Sequence, residues 1–443
     1  MRAQGSRWWL LGGGLIVAGV LAAALAVVRR RGELPVYTIA AARLLAGEEI
    51  YRTTDAKPFS YPPFFALPAL PLLGLPDQFR ALTWYFVSLV ALAEGVALVL
   101  RQLRPVLPAW GAGGRPSRLL FLGLLGALTA ELLMAPIQYA SHDSLLFLVL
   151  MVGVSAWAGG APVRAGVFLG LGAAAKATPL VFLAVFLWQR ELGAALALAV
   201  TAAAATLVPD GIFPRADGQL WAAVWYRTFV APLNVGQPAE VEGVWRAGNH
   251  LNQSLAATVY RLLTPVPGHI EKAPDVSLLH PGPVTAEVVM LLGQLAVLAA
   301  LAWVTRRGPD LGVTPAERAF RRLGEAGAAC AVMLLLSPMS GRQHFAVLLL
   351  PAAVCLADFL YRRRAPLVGG LLGMMLLLGT VADKDFVGRA VGNRLLAYGS
   401  LTGYALAALL GTAWVLADRR RTMRRSGTHP HRAARQGGPH AGS

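Results

Sequence analysis

Residues 285–304 read TAEVVMLLGQLAVLAALAWV, twenty residues with a single charge, Glu287. A helix needs about 20 predominantly apolar residues to cross the hydrocarbon of a bilayer. Runs of the same kind recur at 8–28, 79–100, 118–136, 143–159, 191–208, 324–338, 344–361, 366–381 and 395–417. The composition agrees: 56% of the residues are hydrophobic and 14% charged, where soluble domains carry about 25% charged. In lipid every backbone N–H and C=O must be satisfied internally, which leaves helices or closed barrels. Long uninterrupted apolar runs select helices, so the chain is expected to be an all-α integral membrane protein of about ten full spans.

The formal charge of +17 resembles that of a nucleic-acid binder until its distribution is read. The basic residues sit in short loops and near the C-terminus, as RQLR (101–104), RPSR (115–118), TRR (305–307), RAFRR (318–322), YRRRA (361–365) and DRRRTMRR (418–425). That is the positive-inside pattern, and no nucleic-acid partner is expected. These loops are placed in the cytoplasm, and 29–78, 137–142, 209–283 and 337–343 outside. Arg29–Arg31 oppose this orientation and are outvoted. Residues 8–28, followed by those arginines, are expected to be an uncleaved anchor rather than a signal peptide. Residues 1–418 then form one transmembrane domain of the cell (plasma or inner) membrane. Residues 419–443 are expected to be a basic, disordered cytoplasmic tail that touches anionic lipids. Cys330 and Cys355 lie inside apolar runs and suggest no disulfide.

Two apolar segments are irregular. Pro62 to Leu75 carries four prolines and is too short to span, and 165–188 is interrupted by KATP at 176–179. Arg164 and Arg190 flank the second on one side, so it is expected to be a hairpin of two half-helices. Such broken segments are tolerated where protein or a water-filled cavity surrounds them.

The polar residues that stand out fall on the external side. Residues 33–51 read ELPVYTIAAARLLAGEEIY; Val36, Tyr37, Ile39, Ala40, Leu44 and Leu45 recur at helical spacing and Gly47 ends the run. This predicts an amphipathic helix lying on the membrane with the Glu33 carboxylate at its start. Glu33 fits a general base, or a helix cap that complements the dipole. Lys176 is an intramembrane charge, functional by default or snorkelling to the interface. Tyr61, Pro62 and Pro63 set an extended entry into the short apolar segment. Gln138, His142 and Asp143 share one turn; Asn249, His250, Asn252, Gln253 and Ser254 form a second polar group, and Ser337, Ser340, Arg342, Gln343 and His344 a third. Arg342 and His344 are suited to a phosphate. No metal-ligand motif, dinucleotide loop or Walker loop is read in the chain, and no metal or cofactor is expected. The residues alone leave open an enzyme, a transporter and a non-catalytic scaffold.

Five stretches together resemble one family. They are ELPVYTIAAARLLAGEEIY (33–51), YPPFFALPALPLLGLP (61–76), GLGAAAKATPLVFLAVFLWQR (170–190), GNHLNQSLAATVYRLL (248–263) and LLLSPMSGRQHFAVLLLP (334–351). In that order they are similar to glycosyltransferase family 87, a group of polyprenyl-phosphate-mannose-dependent α-mannosyltransferases of the GT-C superfamily. The family usually has Asp where this chain has Glu33, and often Trp and two His where it has Gly341 to His344. The resemblance implies a GT-C-like multi-pass helical bundle in the cell envelope. It implies inverting transfer of mannose, or a related sugar, from a polyprenyl-phosphate donor to a glycolipid or glycan acceptor on the external face. Glu33 would be the base. Tyr37, Tyr61, Pro62, Pro63, Gln138, His142, Lys176, Asn249, Asn252, Arg342 and His344 would bind substrate.

Overall fold

A computed structural model describes residues 32–105, 117–241, 244–265, 274–306 and 314–427, with side chains to 422. The described residues contain helices and no strand. The expected anchor at 8–28 lies outside them.

The first helix, α1 (Leu34–Ala46), ends at Gly47, whose left-handed φ of +67° lets the chain turn away. Its buried face is Leu34, Tyr37, Ala40, Ala41 and Leu44; of the apolar residues read at helical spacing, Ile39 and Leu45 point outward instead. A twelve-residue 3-10 helix follows at Pro63–Gly74; its prolines deny the backbone N–H groups an α-helix needs. Then come α2 (Asp77–Leu103), α3 (Arg118–Gln138) and α4 (Asp143–Ala158).

The segment read as broken is broken. α5 (Pro162–Ala175) stops at Lys176, which is extended (φ −157°, ψ 120°). A 3-10 turn at Thr178–Leu180 leads into α6 (Val181–Trp188) and then α7 (Leu192–Ile212). Gly166 meets Ala194 and Gly170 meets Leu198, so α5 and α7 run parallel and α6 is the return stroke between them. A Cβ on Gly166 would lie 2.3 Å from the Ala194 carbonyl oxygen, so only glycine allows this approach.

The second half comprises α8 (Leu255–Leu263), α9 (Pro283–Thr305), α10 (Pro315–Leu336), a 3-10 turn at Arg342–Leu348, α11 (Leu349–Tyr361), α12 (Pro366–Leu376), α13 (Arg389–Ala397) and α14 (Ser400–Gly427). α10 is central: from Leu323 to Leu335 every residue is buried, against α4, α6, α9, α11 and α14.

Among the described residues, six helical stretches are long and apolar enough to cross a membrane: Asp77–Leu103, Arg118–Gln138, Leu192–Ile212, Pro283–Thr305, Arg342–Tyr361 and Ser400–Thr422. The runs at 143–159 and 366–381 fold as shorter apolar helices. The run at 324–338 is the apolar end of α10, whose first turns are charged. There Glu317 and Glu325 meet Arg419 and Arg420 of α14, and Arg322 meets Glu191. This pairing also corrects the reading of residues 419–427 as part of a disordered tail. α14 stays helical to Gly427, and Arg419 is buried between Glu317 and Asp358. Residues 428–443 lie outside the described residues. Cys330 and Cys355 are buried and free.

A separate, smaller apolar cluster joins α1, the Pro63–Gly74 helix, Trp84, Trp221, Phe229 and Val241. It caps one end of the bundle, and the polar groups gather where it meets the main core.

Candidate active site

The turn between α3 and α4 organises the site. Ala140 is held at φ +47°, a left-handed conformation that costs a non-glycine residue about 1–3 kcal/mol. The Trp84 indole N–H donates to its carbonyl at 2.9 Å and fixes it. The preceding carbonyl, of Tyr139, accepts the Glu33 backbone N–H at 2.8 Å. This tie places the start of α1 on the turn, and it needs Gly32. At φ +46°, a Cβ there would lie 2.1 Å from the Tyr139 oxygen.

Glu33 occupies the cap position of α1 but makes no side-chain capping bond. Its carboxylate turns inward instead. The Tyr37 hydroxyl donates to Oε2 at 2.6 Å and the Gln343 amide donates to Oε1 at 3.2 Å. Burial raises the Glu33 carboxyl above its ordinary value, and the Tyr37 bond partly opposes that. Burial also lifts the Tyr37 phenol well above its usual range, so it stays a neutral donor.

The Tyr37 oxygen in turn accepts the His142 backbone N–H at 3.2 Å and lies 3.2 Å from His142 Nδ1. Its one proton is spent on Glu33, so Nδ1 is the protonated nitrogen and Nε2 the bare one. Burial pulls His142 down to about 4, which makes it neutral at neutral pH. Its ring is packed by Tyr61 and Phe65, with centroids at 4.4 and 4.5 Å.

One residue further, Asp143 heads α4 and is buried. Lys176 Nζ, at the break after α5, donates to its Oδ1 at 3.2 Å. Lys176 therefore does not snorkel; it is neutralised inside the protein. His344 Nε2 approaches the other oxygen, Oδ2, at 3.8 Å, outside hydrogen-bond range. His344 Nδ1 accepts the Gly341 backbone N–H at 3.1 Å, which leaves its proton on Nε2. Asp143 Oδ2, His142 Nε2, His344 Nε2 and Gln343 Oε1 are buried and have no hydrogen-bond partner. Buried polar atoms are normally paired, and these four, one of them on the Asp143 carboxylate itself, are free to accept from or donate to a polar ligand.

The structure thus brings together Glu33, Tyr37, Tyr61, His142, Lys176 and His344, with Pro62 and Pro63 buried at the start of the 3-10 helix behind them. It gives the others different surroundings. Arg342 is ion-paired with Glu131 at 3.0 Å and with Asp383, so its charge is balanced. Asn252 spends its whole amide on the protein. Nδ2 donates to the Trp245 and Pro338 carbonyls, and Oδ1 accepts from the Ser254 and Ser340 N–H groups. Asn249 closes a turn by accepting from Leu251 N at 2.9 Å. Gln138 is exposed at the end of α3.

Asp143 and Gln343 were passed over as site residues. A lysine inside an apolar run needs a buried partner, and that requirement pointed to an acid heading a neighbouring helix. Asp383-Lys384-Asp385 is an Asp-x-Asp that the sequence reading missed. With Glu131 it forms a carboxylate group of a kind that can hold a cation, and there the Arg342 guanidinium pairs with Glu131 and Asp383.

The chain matches glycosyltransferase family 87 over residues 59–338, well over half its length; Glu33 and His344 lie outside the matched residues. It is 28% identical over 339 residues to a polyprenol-phosphate-mannose-dependent alpha-(1-2)-phosphatidylinositol mannoside mannosyltransferase of Mycobacterium tuberculosis, covering 74% of this chain and 68% of that one. It is 27% identical to the protein of the same description in Mycolicibacterium smegmatis, covering 70% and 63%. It therefore spans about two thirds of the length of these relatives. Two crystal structures of ArnT from Cupriavidus metallidurans align with it, one in the apo state and one bound to undecaprenyl phosphate. The alignments cover 94% and 96% of this chain and 78% and 79% of theirs, with TM-scores of 0.38 and 0.42 and identities of 15% and 14%.

Proposed function

The chain belongs to glycosyltransferase family 87, and from that premise we propose that it transfers mannose from a polyprenyl-phosphate-mannose donor to an acceptor hydroxyl at the external face of the membrane. The observation that carries this is the Glu33 carboxylate. It is turned away from its helix and held by Tyr37 and Gln343 near the half-buried Lys176 cation and the unpaired polar atoms around Asp143.

The chemistry asks for two things at once. As the acceptor oxygen bonds to the sugar's anomeric carbon, its proton must leave. As the carbon–phosphate oxygen bond breaks, charge builds on the phosphate. Glu33 takes the proton. Each of its oxygens has a lone pair beyond the one that Tyr37 or Gln343 uses, and its raised proton affinity makes it a better base than an exposed carboxylate. A positioned base of this kind contributes about 10²–10⁴-fold. The leaving phosphate is met by Lys176 and by the unpaired Nε2–H of His344, donors already in place before charge develops. Asp143 keeps Lys176 charged and aimed. Arg342, neutralised by Glu131 and Asp383, acts at a distance by holding the turn that carries Gln343 and His344. With base and phosphate cradle on separate elements, a single displacement inverts the anomeric carbon. No metal or cofactor takes part in this reading.

The test is purified protein in lipid nanodiscs, given polyprenyl-phosphate-[¹⁴C]mannose and a membrane lipid extract. Label is expected in an acceptor lipid, with the anomeric configuration opposite to the donor's. Retained configuration overturns the single displacement. No transfer from mannose or from other sugars on the same carrier, in folded protein, overturns the donor class.

A further inference from the structure

The turn that carries Gln343 and His344 has a second neighbour, the loop that precedes α8. Trp245 on that loop is partly exposed, and the edge of its indole reaches the turn at Gly341. A Cβ on Gly341 would lie 2.9 Å from Trp245 Cζ3, and 2.7 and 3.0 Å from Oε1 and Nε2 of Gln343. The φ of Gly341, −83°, suits any residue, so the glycine is there for room. With no side chain at 341, the indole and the Gln343 amide flank one spot. Gln343 Nε2 donates in turn to Glu33 Oε1 at 3.2 Å. Indole, amide and carboxylate therefore follow one another along one side of the site.

The loop is fastened to the same turn. Trp245 N donates to Met339 Sδ at 3.4 Å, Asn252 Nδ2 bridges the Trp245 and Pro338 carbonyls, and Asn252 Oδ1 accepts from Ser340 N. The buried Arg261 guanidinium donates to the carbonyls of Ala247, Asn249 and Asn252 and holds the loop from behind. The indole is thus set against the base before a ligand arrives, which lowers the ordering cost of binding.

Gln343 is only half used. Its Nε2 is engaged, and its Oε1 is buried without a partner. An amide oxygen accepts and cannot donate, so whatever meets it must bring an O–H or N–H. A flat aromatic surface beside a lone acceptor suits a pyranose ring. The C–H face of the sugar lies on the indole, and a hydroxyl at its rim donates to the oxygen. A hydrocarbon chain would cover the indole and leave the buried oxygen unmet, at a cost.

We infer that Trp245 and Gln343 Oε1 form a pyranose subsite, in which Trp245 selects the acceptor by stacking on the sugar whose hydroxyl Glu33 deprotonates. The hydroxyl next to the reacting one donates to Gln343 Oε1. The donor's mannose has the same chemistry, but its phosphate is assigned to Lys176 and His344, whereas Gln343 is bonded to the base. The inference deepens the proposed role of Glu33 and rests on it.

Binding without turnover tests it. Nanodisc-held protein is titrated with methyl α-mannobioside, methyl α-maltoside and methyl β-lactoside, followed by saturation-transfer NMR. Saturable binding of at least one is expected. Trp245→Ala should raise its Kd about tenfold or more, and Trp245→Phe, which keeps a ring, by less than about threefold. Trp188→Ala removes an exposed indole on α6 and should change nothing. Among singly deoxygenated forms of the bound sugar, one should bind about tenfold more weakly in the wild type. The Kd of polyprenyl-phosphate-mannose, measured alongside, should move less than about twofold in Trp245→Ala. No binding of any of the three sugars, or a Kd indifferent to Trp245→Ala, overturns the subsite. Phenylalanine failing as alanine does, in folded protein, makes Trp245 a wedge and not a platform. Weakened donor binding with the disaccharide unaffected moves the subsite to the donor, and deoxy forms that all bind alike remove Gln343 from it. Trp245-dependent sugar binding without mannose transfer keeps the subsite and sinks the donor reading.

Discussion

Replacing Tyr37 by phenylalanine removes one oxygen and, with it, the 2.6 Å bond to Glu33 and both contacts to His142. The ring stays, and with it the packing against Phe65 and Trp84. A hydrogen bond to a charged group contributes about 1.5–3 kcal/mol, so the ratio of ionised to protonated Glu33 falls by at most about 10- to 100-fold. The sign follows from the site. Burial already holds the Glu33 carboxyl above its ordinary value, and Tyr37 is what pulls it back. Without Tyr37 it rises further. The base works only when ionised, so activity is lost on the acid side, and that limb of the pH–rate profile moves to higher pH. The assay is kcat/KM for mannose transfer from about pH 5 to 9, wild type against Tyr37→Phe. A limb that stays put, or moves to lower pH while the protein remains folded, refutes the reasoning. Either result would mean that Glu33 is not the titrating base or that Tyr37 does not govern it.

Other perturbations follow from the same geometry. Asp143→Asn or Lys176→Met alone strands a buried charge and is expected to cost about 3–5 kcal/mol, with the double variant costing less than the sum; thermal unfolding in detergent reads this, and strict additivity would show that the two do not form a pair. Gly32→Ala drives a Cβ into the Tyr139 carbonyl and is expected to cut transfer at least tenfold by displacing Glu33; unchanged kcat would mean the tie to the turn does not set the base. Asn252→Ala leaves two buried backbone N–H groups, of Ser254 and Ser340, unpaired, at about 1–3 kcal/mol each, and frees two part-buried carbonyls. It should lower the melting temperature and leave the acid limb in place, whereas a raised acceptor KM at unchanged melting would make Asn252 a substrate contact.

Features set by local chemistry were legible in the sequence. The helix at 34–46 showed in its apolar spacing and its terminal glycine, and the break at Lys176 showed because a charge and a proline interrupt an apolar run. The spans at 79–100, 118–136, 191–208, 285–304, 344–361 and 395–417 showed by length and composition alone. Features that depend on partners far along the chain did not show. Lys176 finds Asp143 33 residues away, Arg342 finds Glu131 211 residues away, and Asn252 finds Ser340 88 residues away. Arg342 looked like a phosphate ligand because a guanidinium is one wherever no carboxylate reaches it first. The start of the basic tail looked disordered because its arginines seemed unpaired, and their acids lie on α10 and α11. At Glu33 the sequence left cap and base open. The missing capping bond and the inward bonds to Tyr37 and Gln343 favour the base.

The central claim is that Glu33 is that base, and the most direct measurement compares mannose transfer by wild type, Glu33→Gln and Glu33→Asp in the same nanodiscs. Glutamine keeps the size and loses the proton acceptor; aspartate keeps the charge and loses reach. The expected result is a loss of about 10²-fold or more for Glu33→Gln, with partial activity in Glu33→Asp. Transfer by Glu33→Gln at the wild-type rate would contradict the account and move the base elsewhere in the cluster.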